Sequence, residues 1–227
     1  MRKAVVSRAG ADSRALFPLW LKTAATLFLG VFVVAHWRNS GPINFLWLSD
    51  IGLIGTVLAL WLRSRLIASM MLLATFVTDG LGWNLDFILG LSTGWHPLNA
   101  TTYMFDARIP LLIRILSLFH PLVPAGLVWM VYSLGYDRRA LAAQTALTWI
   151  VLPVSYLLTD PVRNLNWILG PGRPQSYIPG WLYLAVMMAF VPLGFYLPVH
   201  LILTWMKWDV GRTGALRTGS RLHPKGS

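Results

Sequence analysis

An all-α bundle of six membrane-spanning helices is the fold this sequence predicts, and three observations predict it. The 227 residues are 56% hydrophobic and only 12% charged, with a mean hydropathy of +0.60, well beyond the apolar share of an ordinary soluble domain. The apolar residues fall in several runs of about 18 or more, which a single soluble core of this size cannot bury. Almost all basic residues lie outside those runs, at both termini and in short loops. A formal charge of +11 placed in this way points to topology and anionic lipid rather than to a nucleic-acid groove. The expected partners are therefore membrane lipids and no nucleic acid; no feature specifies a protein partner.

Three segments are expected: a basic cytoplasmic stretch over 1–15, a transmembrane domain over 16–206, and a basic disordered cytoplasmic tail over 207–227. Span one covers 16–37 and is read as a span rather than a signal peptide, because no small-x-small cleavage site follows it. Lys22 lies inside it, close enough to the end for its stem to carry the charge to the headgroups. The turn Arg38-Asn39-Ser40-Gly41-Pro42 leads into span two, 44–61, and the short connection through Arg63 and Arg65 makes spans two and three antiparallel neighbours. Span three, 66–91, ends in the polar run Thr78, Asp79, Asn84, Asp86. Span four, 109–136, carries Arg114 and His120 and is expected to kink at Pro121 and Pro124. Span five is 142–158, and span six, 179–206, is expected to kink at Pro192 and Pro198.

Six spans put both termini on one side of the membrane. That side carries 13 Lys and Arg against 4 on the other, so by the positive-inside rule both termini are cytoplasmic, in a multi-pass protein of a bacterial cytoplasmic membrane. At about 1.5 Å of rise per residue, Arg114 lies about 8 Å and His120 about 17 Å below the outer face. Asp50, Asp79 and Asp86 fall in the same outer half, as does His36 at the end of span one.

Ionisable groups at such depth face the protein interior and have partners. A bidentate pair between Arg114 and one of the aspartates is the contact expected first. Asp79 and Asp86, seven residues apart, are expected on one helix face. Read as chemistry, His120 is a general base toward Ser49 or a water, with Asp50 or Asp79 orienting it. Arg114 and Asp86 are candidate substrate-binding residues, and so are Asn164, Asn166 and Trp167 in an outer loop whose Gly-Pro-Gly turn would suit a lid. The bland alternative is that the buried charges fix helix register and the loop is a cap without a ligand. There is no cysteine, which excludes disulfides, thiolate catalysis and Cys-ligated metal centres. The five histidines show no metal-ligand spacing, no nucleotide or hydrolase motif occurs, and no cofactor or metal is expected.

Several stretches carry a resemblance: NFLWLSDIGL, YMFD, SLFHPLVP, LGYDRRAL and NLNWILGPG. Together they resemble, over nearly the whole chain, a bacterial six-helix family described only as membrane-associated proteins, which implies the fold but no activity. The chain is also similar, more faintly, to the androgen-induced-gene type intramembrane hydrolases of fatty-acid esters, which use a Thr on the second helix and a His on the fourth. That resemblance implies His120 as the histidine. The Thr position falls at Trp47, with Ser49 two residues on, so the nucleophile is either displaced to Ser49 or missing. Three functions follow as expectations: an intramembrane lipid-modifying enzyme (hydrolase or acyl transferase), a non-catalytic membrane subunit or assembly factor, or a proton-coupled transporter of a small anion.

Overall fold

The structure is a computed structural model that describes residues 17–208, and among the described residues it is helical with no strand. The basic segment expected over 1–15 and the tail beyond Trp208 lie outside the described residues. Helix α1, Leu19–Ser40, starts after the extended Pro18 and stops at Gly41, whose φ of 78° only glycine adopts without strain. A 3-10 turn, Pro42–Leu46, leads into α2, Leu48–Leu62. The Ser64 hydroxyl then caps α3, Arg65–Thr75, by accepting from the Ile67 amide at 3.2 Å.

The chain runs on without a break through a π-helical segment, Phe76–Trp83, into α4, Asn84–Thr93. A wide turn leaves carbonyls without their usual donors. Here the Asn84 side-chain amide supplies them, donating to the carbonyls of Asp79 at 2.9 Å and Gly80 at 3.1 Å. After the loop 94–110, with its 3-10 turn Thr102–Phe105, come α5, Leu111–Leu116, and α6, Phe119–Leu134. Helix α7 is Ala140–Leu158. A loop with the 3-10 turn Leu165–Trp167 precedes α8, Gly180–Phe190, which passes through a second π segment, Val191–Tyr196, into α9, Leu197–Trp205. That second wide turn opens around Pro192, which has no N–H to donate.

Among the described residues five helical stretches are long and apolar enough to cross a membrane: Leu19–Ser40, Arg65–Thr93, Leu111–Leu134, Ala140–Leu158 and Gly180–Trp205. They suggest a membrane protein. The element expected as span two is a helix of 15 residues, Leu48–Leu62, apolar but shorter than the rest. The kink expected at Pro121 and Pro124 falls earlier, at Ser117 and Leu118, where α5 gives way to α6. Pro121 causes it from downstream: it lacks the N–H that the Ser117 carbonyl would otherwise accept.

Helix α3 sits at the centre, packed on α2, α6 and α7. It approaches α2 closely because α2 presents glycines there: a Cβ on Gly52 would lie 2.4 Å from Thr75 Cγ2, and one on Gly55 would lie 2.2 Å from Met71 Sδ. Small residues at helix crossings let backbones meet in this way. At one end of the bundle the Tyr136 amide donates to the Trp208 carbonyl at 2.7 Å, and an Arg65 guanidinium donates to the Tyr136 carbonyl. At the other end the turn before α2, the loop 94–110 and the loop 159–179 come together around the polar residues.

Candidate functional site: a buried polar centre

The break between α5 and α6 positions the histidine. With Pro121 unable to donate, the Ser117 carbonyl is taken by His120, from its backbone amide at 3.2 Å and from ring Nδ1 at 2.6 Å. A carbonyl only accepts, so Nδ1 carries the proton, and in the neutral ring Nε2 keeps its lone pair. Rings hold the imidazole on its flanks. Trp83 stacks on it at 4.8 Å and 6°, and Phe119 lies 4.1 Å away.

Asn44, in the 3-10 turn before α2, links helix α1 to α2. Its side-chain amide donates to Asp50 Oδ2 at 3.0 Å and lies 3.3 Å from His36 Nδ1. Because that amide has only hydrogens to offer, His36 Nδ1 accepts and Nε2 bears the proton. His36 stacks on Phe32 at 4.1 Å, and Phe32 meets Phe119 edge-on at 5.3 Å, so one aromatic chain runs from His36 to His120. Asp50 and Asp79 are both buried and act on each other electrostatically. Above them, the Tyr103 hydroxyl accepts from Trp83 Nε1 at 3.2 Å. The Tyr103 phenol is pushed up from its usual range, chiefly by burial, against the pull of hydrogen bonds from Ser117 and Trp83, with a smaller push from the charges of Asp50 and Asp79. His36, Asp50, Asp79, Tyr103 and His120 thus converge from α1, α2, the first π segment, the loop 94–110 and α6.

Two polar atoms of this group are buried with no partner: His36 Nε2 and Asp79 Oδ2. A buried donor without an acceptor, and a buried acceptor without a donor, each cost about 1–3 kcal/mol. In native folds such atoms call for an explanation.

The remaining predicted residues are placed as follows. Ser49 lies in the first turn of α2, half-buried beside Asp50, and no hydrogen bond joins it to His120. Among the described residues Arg114 forms no carboxylate pair. It donates to the Met104 carbonyl at 3.3 Å, and its Nε is buried without a partner. The physical reason is that Asp50 is engaged by Asn44, Asp86 is taken by the loop 94–110, and Arg114 is itself drawn to the Met104 carbonyl of that loop. Asp86 is fully buried and receives the amides of Leu98 at 2.7 Å, Ala100 at 3.1 Å and Thr101 at 2.8 Å, and the Thr101 hydroxyl at 2.6 Å. His96 stands 3.4 Å from the same carboxylate. Asp79 and Asp86 therefore do not serve one site, because the π segment between them changes the helical phase on which a shared face depends.

The asparagines of the loop 159–179 are turned inward on the protein. Asn164 bonds the Gly170 carbonyl and the Leu169 amide, at 2.8 and 2.9 Å. Asn166 accepts from the Leu48 amide at 2.9 Å and donates to the Leu46 carbonyl at 2.8 Å and to Ser155 Oγ at 3.0 Å. Asn164, Asn166 and Trp167 all adopt positive φ, which turns the loop back on itself. Asn44, Trp83 and Tyr103 were not among the predicted site residues. The signal that could have found Tyr103 was in view, since YMFD is one of the stretches that carry the bacterial resemblance. Among the described residues no group of three or more metal-ligating side chains is gathered.

Compared with family models, with curated proteins and with solved structures, the chain matches none.

Proposed function

We propose that this protein is a six-span enzyme of a bacterial cytoplasmic membrane, with both termini cytoplasmic, that performs acid–base chemistry on a lipid ester. The observation that carries the reading is the pair of unpartnered buried atoms, His36 Nε2–H and Asp79 Oδ2, in a centre where His120 keeps a free lone pair. A polar substrate group or a water would give each of them a partner.

The chemistry favours water over Ser49 as nucleophile, since no hydrogen bond links Ser49 to the base. His120 Nε2 takes a proton from the water as the oxygen bonds to the acyl carbon, and the carbon–oxygen bond to the alcohol breaks. The proton then passes from the imidazolium to the departing alkoxide, leaving a carboxylic acid and an alcohol. In this reading His36 Nε2–H donates to the developing oxyanion and Asp79 orients the water.

The test is hydrolysis of diacyl and monoacyl lipid esters by the purified protein, read by lipid mass spectrometry. Turnover should fall at least about 100-fold in His120→Ala, the usual weight of a general base. Turnover that survives in His120→Ala would refute the reading. A non-catalytic membrane subunit is the second reading. It draws support from Asp86, Asn164 and Asn166, whose polar atoms are spent on the protein's own backbone.

A further inference from the structure

A groove of about 730 Å³ runs along the outside of the bundle at the seam of α1 and α5. Its wall on α1 is Thr26, Leu27, Gly30, Val31, Val34 and Ala35; opposite lie Leu112 and Ile113. Arg38 and Asn39 stand at one end with Pro110. Along its length the groove is apolar, and at that end it is cationic.

We propose that this groove binds one phospholipid with an anionic headgroup, its acyl chain along α1 and its phosphate on Arg38. The inference rests on the membrane reading above and names the substrate class that reading leaves open. Length is the first argument. From Thr26 to Arg38 the groove follows twelve residues of helix, about 18 Å at 1.5 Å each. One leaflet of a hydrocarbon core is about 15 Å deep, so the groove suits one chain of one leaflet with the headgroup at the Arg38 end. The neighbouring Trp37 is 57% exposed, as an aromatic at the interface of a bilayer is.

Charge is the second argument. Two of the other outward-end arginines are engaged, Arg108 with Asp106 at 2.7 Å and Arg163 with Asp160 at 3.3 Å; Arg173, like Arg38, has no carboxylate within ion-pair distance among the described residues, but it does not line the groove. Arg38 is exposed and has no carboxylate within ion-pair distance among the described residues. A phosphate is the partner whose two oxygens fit the guanidinium fork. Continuity is the third. The α1 face beside the groove carries Phe32 and His36, so a chain lying in the seam passes next to the polar centre.

Gly30 makes the groove testable without breaking the fold, because a Cβ there meets nothing within 4 Å. Gly30→Leu would add a side chain to open space and improve helix propensity. The full-length protein is placed in nanodiscs of phosphatidylcholine with a minority of phosphatidylglycerol, and the retained lipid is counted by native mass spectrometry. The wild type should hold one phosphatidylglycerol in preference to phosphatidylcholine. Arg38→Gln should lower that preference at least about tenfold, the loss of one charge-assisted contact, while Arg38→Lys keeps most of it. Gly30→Leu should release both lipids, and far-ultraviolet circular dichroism should be unchanged in all three variants.

Equal retention of phosphatidylglycerol by wild type, Arg38→Gln and Gly30→Leu would overturn the proposal. So would a dimer that Gly30→Leu dissolves, since the groove would then be a contact between copies. His120→Ala separates this inference from the enzymatic one. Lipid retained by that variant together with wild-type turnover would refute the chemistry and leave the groove; turnover that falls in that variant, with no lipid preference in the wild type, would do the reverse.

Discussion

Replacing Asp86 by Asn should loosen the whole end of the bundle where the loop 94–110 is held, because three of the four hydrogen bonds on its carboxylate converge on one oxygen. Oδ2 accepts the Ala100 amide, the Thr101 amide and the Thr101 hydroxyl, while Oδ1 accepts only the Leu98 amide. An amide nitrogen in place of Oδ2 would meet donors, and flipping it would leave the Leu98 amide facing one instead. Leu98 and Ala100 are partly exposed and can take up water, and the Thr101 hydroxyl has His96 Nδ1 at 3.0 Å. The fully buried Thr101 amide has no such recourse, so the variant adopts the flipped amide, which keeps an oxygen against Thr101 and turns its NH2 on the Leu98 amide. The displaced Leu98 amide costs about 1 kcal/mol, and the weakening of charge-assisted bonds to neutral ones adds about 1 more, for about 2 kcal/mol in all. In a chain of this size each kcal/mol is worth about 2–4 °C, so Tm should fall by about 4–8 °C. Thermal unfolding in detergent, followed by circular dichroism, reads it, with trypsin cleavage after Arg108 as a local probe. Thr101→Val, which removes only the hydroxyl bond, should show about half of the effect. An Asp86→Asn protein that melts with the wild type and resists trypsin equally would refute the reasoning.

Three further outcomes can be checked. Asn166→Ala removes three hydrogen bonds to the start of α2 and to α7, and should speed trypsin cleavage at Arg163 and Arg173 while costing about 1–3 kcal/mol; unchanged cleavage would count against the clasp. Pro121→Ala restores an N–H that can claim the Ser117 carbonyl, freeing the His120 ring, so turnover should fall while the melting temperature holds or rises; a loss of both together would speak against the break as a positioning device. The Asp106 carboxyl is held down at about 2 by its hydrogen bonds from Arg108 and by that residue's charge. A carboxyl depressed in the folded state adds stability above its unfolded value, about 3.9, and that stability is lost as pH falls through about 2. Carbon-detected NMR should find the low midpoint and see it climb in Arg108→Gln.

Much of the helical pattern was legible because apolar runs declare themselves by length. Residues 142–158 were read close to the observed Ala140–Leu158 for that reason. Irregular backbone was harder. The π segment at Phe76–Trp83 has no sequence signature beyond its glycines, and the expectation that Asp79 and Asp86 share a face assumed an unbroken α-helix. The prolines of α6 were visible, but their effect falls one turn upstream, at the carbonyl that loses its donor. For the polar centre, residue types and depth brought Asp50, Asp79 and His120 into view. Partners did not follow from them, since Arg114 and Asp86 are each claimed by backbone groups of the loop 94–110, which lies beyond the helical repeat. A side chain that bonds a loop's backbone leaves no periodic trace.

Helix α2 has a consequence for the electric field. Its 15 residues span about 22 Å, well short of a hydrocarbon core about 30 Å thick. The rest of that passage is the turn Pro42–Leu46, whose Leu46 carbonyl, like the Leu48 amide after it, is bonded by Asn166 rather than by a helix. In a bilayer, the insulating slab at α2 would be thinner by roughly a quarter than the slab beside it. Under the six-span reading, a membrane potential would fall more steeply there, across Asp50 in the first turn of α2. The charge state of the polar centre would respond to voltage as well as to pH, so an assay in detergent and an assay in energised vesicles would not sample the same protein.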